Sequence, residues 1–160
     1  MPEFNQPPIK RSPALQPLSR DHYQGLVQAQ HLIKAADGDA NARRKALAEF
    51  VDAWKLEIAV HFADEEQLLL EHLGDEDKQR LLDEHATLRE LATRAQAQRR
   101  EVDPHAELLR ELGQALNAHI RWEERELFTR LEQSVDEATL AAIAGQTEQI
   151  EAARPRNVGS

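Results

Sequence analysis

The stretch LAEFVDAWKLEIAVHFADEEQLLLEH, from Leu47 to His72, decides the fold. Its inward positions recur in alternating steps of four and three, a period of about 3.5 residues that is typical of a helix packed along a bundle seam. One buried stripe is therefore predicted to carry Leu47, Val51, Trp54, Ile58, His61, Glu65, Leu68 and His72. His61 and Glu65 occupy stripe positions where Leu or Ile is expected, and they lie one helical turn apart on the same face.

The rest of the chain is also rich in residues that favour helices. The 160 residues include only six Gly and seven Pro, whereas Ala, Leu, Glu, Gln and Arg are plentiful. We predict four long helices over about residues 20–36, 42–73, 76–101 and 104–133, with Ser19 and Asp103 as N-caps of the first and fourth. The sequence SVDE at 134–137 has the form of a capping box and predicts a shorter fifth helix to about residue 153. These elements predict an all-α fold, an up-down-up-down four-helix bundle with a short fifth C-terminal helix.

The two ends of the chain are predicted to lie outside this bundle. Five of the seven prolines fall at positions 2, 7, 8, 13 and 17, so residues 1–17 are expected to form a flexible, extended, Pro-rich arm. The bundle domain then spans residues 18–153, and residues 154–160 are expected to fray. The sequence has neither an apolar run of about 20 residues, as a membrane span requires, nor a secretory signal. We therefore expect a cytoplasmic protein with no membrane partner, as a monomer or a homodimer.

The composition excludes several kinds of site. The chain has no Cys, which rules out disulfides, thiolate catalysis and cysteine-ligated metal sites. Its 29 acidic and 20 basic residues give a net charge of -9, and this balance argues against a nucleic-acid partner, which requires a basic surface.

The substitution seen in the second helix is repeated on the other three. Each predicted helix has a histidine on its buried stripe, not counting His72 at the end of the second helix, and the second and fourth helices add a glutamate four residues later. The complete set is His22, His61, Glu65, His85, His119 and Glu123. Burying two unpaired carboxylates would cost several kcal/mol each, against a total stability of about 5–15 kcal/mol. A pair of bound cations would compensate this charge and use the imidazole nitrogens as ligands. The alternative is a hydrogen-bonded polar network without metal.

The ligand types narrow the choice of metal. Six nitrogen and oxygen ligands without sulfur suit iron, manganese or zinc. Two bridging carboxylates with two imidazoles per ion form a dinuclear site of the kind built in bundle cores. Because zinc usually prefers four-coordinate sites, this set favours two iron ions, with manganese or zinc as alternatives.

His22, followed by HFADE at 61–65, EHATL at 84–88 and HIRWEERELF at 119–128, resembles the hemerythrin family in its bacterial, HHE cation-binding branch. The resemblance covers about residues 18–132. It implies that His22 and His61 bind one iron, that His85 and His119 bind the other, and that the two glutamates bridge them. The resemblance also implies an oxo or hydroxo bridge between the irons.

The sequence departs from the oxygen carriers of that family at one position. Those proteins have a second histidine four residues after the helix-three histidine, whereas this chain has Arg89, which cannot ligate a metal. The site then has four histidines rather than five, and its coordination is more open. Arg89 is interpreted either as a solvent-facing residue or as a contact of the carboxylates.

The bridging carboxylate of the fourth helix has two candidates. Oxygen carriers place it five residues after the histidine, at Glu124, whereas the bacterial branch places it four residues after, at Glu123. Helical geometry favours Glu123, because the fifth position lies about 140° round the helix from His119. His31, His72 and His105 are predicted to lie outside the site, and Glu66 is predicted to face solvent.

These observations predict a non-haem di-iron protein that binds or senses a small diatomic ligand, O2 or NO. The alternatives are a di-iron enzyme that reduces NO or peroxide, and an iron-handling protein similar to the related iron-cluster repair proteins. Those repair proteins carry a Cys-containing N-terminal segment, so the absence of Cys counts against the last alternative.

Overall fold

The computed structural model describes residues 11–154, and these residues form five helices and no strands. Helix α1 is Gln16–Ala36, α3 is Asp75–Gln98 and α5 is Glu137–Ala153. Helix α2 comprises Ala40–Ala53, a π-helical turn Trp54–Ile58, Ala59–Leu69 and a 3₁₀ turn Leu70–His72. Helix α4 comprises Ala106–Trp122, a π-helical turn Glu123–Leu127 and Phe128–Ser134. The all-α prediction is confirmed, and the up-down-up-down order of the helices stays a prediction.

Two predicted helix starts are wrong because the expected capping residues make tertiary contacts instead. Helix α1 begins at Gln16, with Pro in its first turn, and the Ser19 hydroxyl donates to a carboxylate of α4. Asp103 and Pro104 precede α4 without capping it. The Arg43 guanidinium pairs with the carboxylate of Asp103, and Arg43 Nε donates to the Pro104 carbonyl at 3.0 Å.

Aspartates cap two of the helices. Asp39 accepts from the backbone N–H of Ala42 at 2.9 Å and starts α2 two residues earlier than predicted. Asp136 accepts from the N–H of Thr139 at 2.8 Å and starts α5. The fifth helix is therefore present as predicted, but its cap is Asp136 and not Ser134.

The chain before α1 packs against the bundle. Arg11, Ala14 and Leu15 are buried. The predicted extended arm is thus wrong for residues 11–17, while its residues 1–10 lie outside the described part of the chain. The predicted tail begins with Arg154, which pairs with the buried Asp64, and its residues 155–160 also lie outside the described part. None of the described helices has the length and apolar character that crossing a bilayer requires.

Buried His and Glu side chains separate two apolar clusters. The larger cluster contains Leu32, Phe50, Leu88, Leu91, Leu112 and Leu116 among others, and the smaller contains Leu15, Leu69, Leu81, Leu127, Phe128 and Ile143 among others. On α3, Leu81 of the smaller cluster and Leu88 of the larger one flank His85. On α4 the chain order is reversed, with Leu116 of the larger cluster before the histidine and Leu127 of the smaller cluster after the glutamate. The bundle core is therefore apolar, then polar, then apolar along its axis.

Helices α1 and α4 approach each other closely at a glycine. A Cβ atom at Gly113 would lie 2.7 Å from Ile33 Cγ1 and 2.8 Å from the carbonyl oxygen of Ala29. Any side chain at this position would push the two helices apart. The close approach fixes the helix that carries His22 against the helix that carries His119.

Candidate metal centre

Six side chains from four helices meet in the polar layer. They form what we call the central cluster: His22 on α1, His61 and Glu65 on α2, His85 on α3, and His119 and Glu123 on α4. All six are buried, and both glutamates are fully inaccessible to solvent. The structure thus brings together all six residues predicted from the sequence.

Each glutamate lies between imidazoles of different helices. Glu65 Oε2 is 3.1 Å from His61 Nε2, and Glu65 Oε1 is 3.2 Å from His85 Nε2. Glu123 Oε1 is 3.0 Å from His119 Nε2 and 3.2 Å from His22 Nε2. His22 Nε2 also lies 3.6 Å from Glu65 Oε2. Both carboxylates are therefore shared between the two sides of the cluster.

The inward atoms of the cluster fit a pair of cations. All four Nε2 atoms and all four carboxylate oxygens are buried without a hydrogen-bond partner of acceptable geometry among the described residues. They fall into two groups, one with His22 and His61 and the other with His85 and His119, and both groups include the two glutamates. Within each group the potential ligand atoms lie within 4.8 Å of one another. Eight buried polar atoms left in this state are costly unless a cation compensates them.

The outward nitrogen of every cluster histidine meets a further carboxylate. His85 Nδ1 lies 2.6 Å from Glu66, His22 Nδ1 lies 2.7 Å from Glu124, His119 Nδ1 lies 2.8 Å from Glu84, and His61 Nδ1 lies 3.2 Å from Asp21. We call these four residues the outer carboxylates. A carboxylate that accepts from Nδ1–H fixes the ring orientation and aims Nε2 inward, as in metal-binding histidines.

The outer carboxylates link the helices in a closed ring. Asp21 of α1 contacts the histidine of α2, and Glu66 of α2 contacts that of α3. Glu84 of α3 contacts the histidine of α4, and Glu124 of α4 contacts that of α1. Each helix therefore supplies its own imidazole and orients the imidazole of the next helix.

The contacts of these four carboxylates with the imidazoles were not predicted from the sequence, and Glu66 is not the solvated residue that we predicted. Each is the immediate chain neighbour of a cluster residue, in the pairs Asp21–His22, Glu65–Glu66, Glu84–His85 and Glu123–Glu124. This recurring acidic neighbour is the signal that could have identified them. Glu124, the second candidate for the bridging carboxylate, contacts His22 Nδ1 from outside the cluster.

Arginine 89 stands beside one of the outer carboxylates. Its guanidinium lies 2.9 Å from Glu66, the residue that contacts His85, and its side chain is 42% exposed. Both interpretations of the sequence therefore describe part of what is found, because Arg89 faces solvent and also pairs with a carboxylate of the site.

The carboxylates set the charge state of the imidazoles. Burial opposes the charged form most strongly, but the charge of Glu65 together with hydrogen bonds to Asp21 and Glu65 raises the pKa of His61 to about 9. Glu123 likewise raises the pKa of His119 to about 10 against the effect of burial. Burial also opposes the charge on His22, yet contacts with three glutamates raise its pKa well above the usual value. The pKa of Glu65 lies well below its ordinary value despite burial, chiefly because of the charge of His61. In the metal-free protein, protons therefore compete with a metal ion for His22, His61 and His119.

Aromatic rings hold two of the imidazoles in place. Phe62 stacks on His85 with ring centroids 4.0 Å apart and planes 3° from parallel. Phe128 stacks on His22 at 5.4 Å and 17°. These contacts restrict ring rotation and keep water from the cluster, so the imidazoles are preorganised by packing as well as by hydrogen bonds.

A cavity of about 510 Å³ between α1 and α2 leads to one side of the cluster. His22, His61 and Asp21 line it, together with apolar side chains such as Ile58 and Ile120. A smaller cavity of about 260 Å³ touches the other side at His119. The larger cavity gives a small molecule access to the His22 and His61 side.

The remaining histidines lie outside the cluster, as predicted. His31 is half-exposed and lies 3.4 Å from Glu49, and His72 contacts its neighbour Glu71. His105 precedes α4, where its backbone N–H donates to Gln98. Buried histidines alone therefore make up the imidazole set of the site.

Comparison with known proteins agrees with this geometry. The family model described as the hemerythrin HHE cation binding domain matches residues 16–150. Neither the curated proteins nor the solved structures include a significant match to the chain. The matched region contains all six cluster residues, and the buried His and Glu groups within it indicate a metal-binding protein. The chain belongs to the hemerythrin family, as a hemerythrin HHE cation-binding domain.

Proposed function

We propose that this protein is a non-haem di-iron protein that binds or senses a small diatomic ligand, O2 or NO. His22 and His61 hold one ion, His85 and His119 hold the other, and Glu65 and Glu123 bridge the two. The observation that carries this proposal is a set of eight buried inward atoms, which have no hydrogen-bond partner of acceptable geometry in the described part of the chain and form two groups sharing both carboxylates.

Iron is the favoured metal because of the ligand types. Each ion would receive two imidazole nitrogens and oxygens from two shared carboxylates, with no sulfur. Such a set suits iron in five- or six-coordinate geometry, whereas zinc more often takes four ligands. Manganese and zinc are the alternatives, and metal analysis distinguishes all three.

The surroundings of the cluster support a small ligand. When bound, the iron pair supplies an open coordination position and electrons for a diatomic molecule. The protein residues fix the ligand set: the outer carboxylates orient the imidazoles, and Phe62 and Phe128 pack against two of the rings. The cavity at His22 and His61 provides a path from solvent to one side of the cluster.

A second candidate function is an enzyme that reduces NO or peroxide. Arg89, which cannot ligate, stands where oxygen carriers of the family have a fifth histidine, and it pairs with Glu66. Coordination by four histidines leaves more room for a reacting ligand. An iron-handling role is the third candidate.

Metal content tests the proposal directly. Protein purified aerobically without added metal is expected to contain about two irons per chain, one for each group of ligands, and to absorb in the near ultraviolet. The double variant Glu65→Ala/Glu123→Ala should lose dinuclear binding, and His31→Ala is the matched control that should keep it. A folded protein that refuses added iron, or a double variant that keeps two irons, would contradict the proposal.

Reactions of the loaded protein then separate the candidate functions. Reversible formation of an O2 or NO adduct supports binding or sensing. Continuous consumption of NO or peroxide with a reductant supports the enzyme. Transfer of iron to a metal-free acceptor protein supports iron handling.

A further inference from the structure

The four outer carboxylates are not held equally. Three of them form an ion pair with an arginine: Glu84 with Arg80 at 2.7 Å, Glu66 with Arg89 at 2.9 Å, and Glu124 with Arg11 at 3.3 Å. The fourth, Asp21, has no arginine or lysine partner within residues 11–154. Asp21 is therefore the outer carboxylate that no described arginine or lysine holds in position.

Asp21 differs from the other three in exposure and contact length as well. Its side chain is 43% exposed, whereas those of Glu66, Glu84 and Glu124 are 21–28% exposed. Its contact with His61 Nδ1 is 3.2 Å long, and the other three contacts are 2.6–2.8 Å. Asp21 also lines the larger cavity, so solvent can reach its contact with His61.

We propose that the two metal positions differ in lability, that the ion held by His22 and His61 exchanges first, and that Asp21 is the positioning residue that sets its rate of release. The inference rests on the dinuclear centre proposed above. It concerns the exchange of the metal ion itself and is independent of which small molecule the loaded protein binds.

The physical reason is the mobility of one imidazole. A ring whose Nδ1–H acceptor is fixed cannot turn away from a metal without breaking that contact, and losing such a partner costs about 10–100-fold in metal affinity. Asp21 can leave His61 for solvent because no arginine or lysine of residues 11–154 pairs with it. His61 can then turn toward the cavity, and release of the first ion begins there.

At the other position, both carboxylates that orient the imidazoles are restrained. Glu66 and Glu84, which orient His85 and His119, are each held by an arginine. Phe62 stacks on His85 and restricts its rotation. The smaller cavity reaches His119 beside Glu84, but Arg80 holds that carboxylate in place.

Release of metal to a chelator tests the inference. Protein loaded with two Zn²⁺ per chain is mixed with an excess of a chromogenic chelator, and zinc release is followed by absorbance. Two phases of equal amplitude are expected. His61→Ala should remove the fast phase and keep the slow one, which assigns the fast phase to the ion held by His22 and His61.

Variants of the outer carboxylates identify the residue that controls each phase. Asp21→Ala should speed the fast phase about tenfold or more and leave the slow phase unchanged, because only one imidazole loses its partner. Asp21→Asn should restore most of the wild-type rate, since the amide oxygen still accepts from Nδ1–H. The matched control Glu84→Ala should speed the slow phase alone, and circular dichroism of each variant confirms that it is folded.

Two results would overturn the inference while leaving the dinuclear centre intact. One is the release of both ions in a single phase. The other is an Asp21→Ala variant that leaves the fast phase unchanged or alters the slow phase equally. Binding of fewer than two zinc ions at the outset would instead refute the dinuclear centre and, with it, the inference.

Discussion

Binding of two Zn²⁺ ions to the metal-free protein at pH 7 is expected to release about three protons per chain, one each from His22, His61 and His119. The pKa of His61 is about 9 and that of His119 about 10, so both are protonated at pH 7 in the metal-free protein. The pKa of His22 is also raised well above its ordinary value. The neutral fractions of His61 and His119 at pH 7 are then only about 1% and 0.1%.

The sign of the pH dependence follows from this competition. A metal ion and a proton compete for the same Nε2 atom, so affinity rises with pH and falls as the solution becomes acidic. Below all three pKa values, each displaced proton contributes a factor of about ten per pH unit, and the overall constant for two ions rises about 10³-fold per unit. The rise should flatten as the pH passes about 9 for His61 and about 10 for His119.

Calorimetry measures the proton count directly. Titrations at pH 7 in buffers with different ionisation enthalpies give a heat that varies linearly with that enthalpy, and the slope is the number of protons released. His31→Ala is the control and should leave the count unchanged, because His31 lies outside the cluster. A count near zero, or an affinity that stays flat between pH 6 and 8, would refute the argument that the carboxylates keep these ligand nitrogens protonated.

Three further predictions concern stability, and each is checked by chemical denaturation. Gly113→Ala should destabilise the fold by about 1–3 kcal/mol because its Cβ would collide with α1, whereas Gly145→Ala, which meets no atom within 4 Å, should stabilise it by about 0.5–1 kcal/mol. Equal effects of the two changes would refute the close approach. Arg11→Ala should cost about 3 kcal/mol because it leaves Glu124 and Glu132 without their buried partner, and a loss below about 0.5 kcal/mol would show that the segment before α1 contributes little. Asp136→Ala should cost about 1 kcal/mol through loss of the α5 cap, and an unchanged stability would mean that α5 does not unfold with the bundle.

The central cluster could be predicted from the sequence because each of its members interrupts a periodic apolar stripe. His61 and Glu65 fall on the 3.5-residue period of α2, and this local pattern already places them inside. A polar residue on such a stripe can be recognised as buried from its own helix, without knowing how the other helices pack. The chemistry of the set then followed from its residue types.

Long-range contacts account for what the sequence did not predict. Ser19 and Asp103 have the chemistry of N-caps, but each side chain instead contacts a residue more than 50 positions away in the chain. Local propensity therefore predicted the wrong helix starts. Glu66 lies at the edge of its stripe, where the helix angle is compatible with either solvent or a neighbouring helix. Its contact with His85, 19 residues later, depends on how α2 and α3 are docked.

The closed ring of carboxylate–imidazole contacts means that no subset of the helices contains a finished centre. Each helix gives one imidazole and steadies the imidazole of the next, so removing any one helix breaks two of the four links. In a nascent or partly unfolded chain with three docked helices, one imidazole therefore lacks its outer carboxylate and one outer carboxylate lacks its imidazole. Completion of the bundle and completion of the centre are the same event, and the last helix to dock closes both.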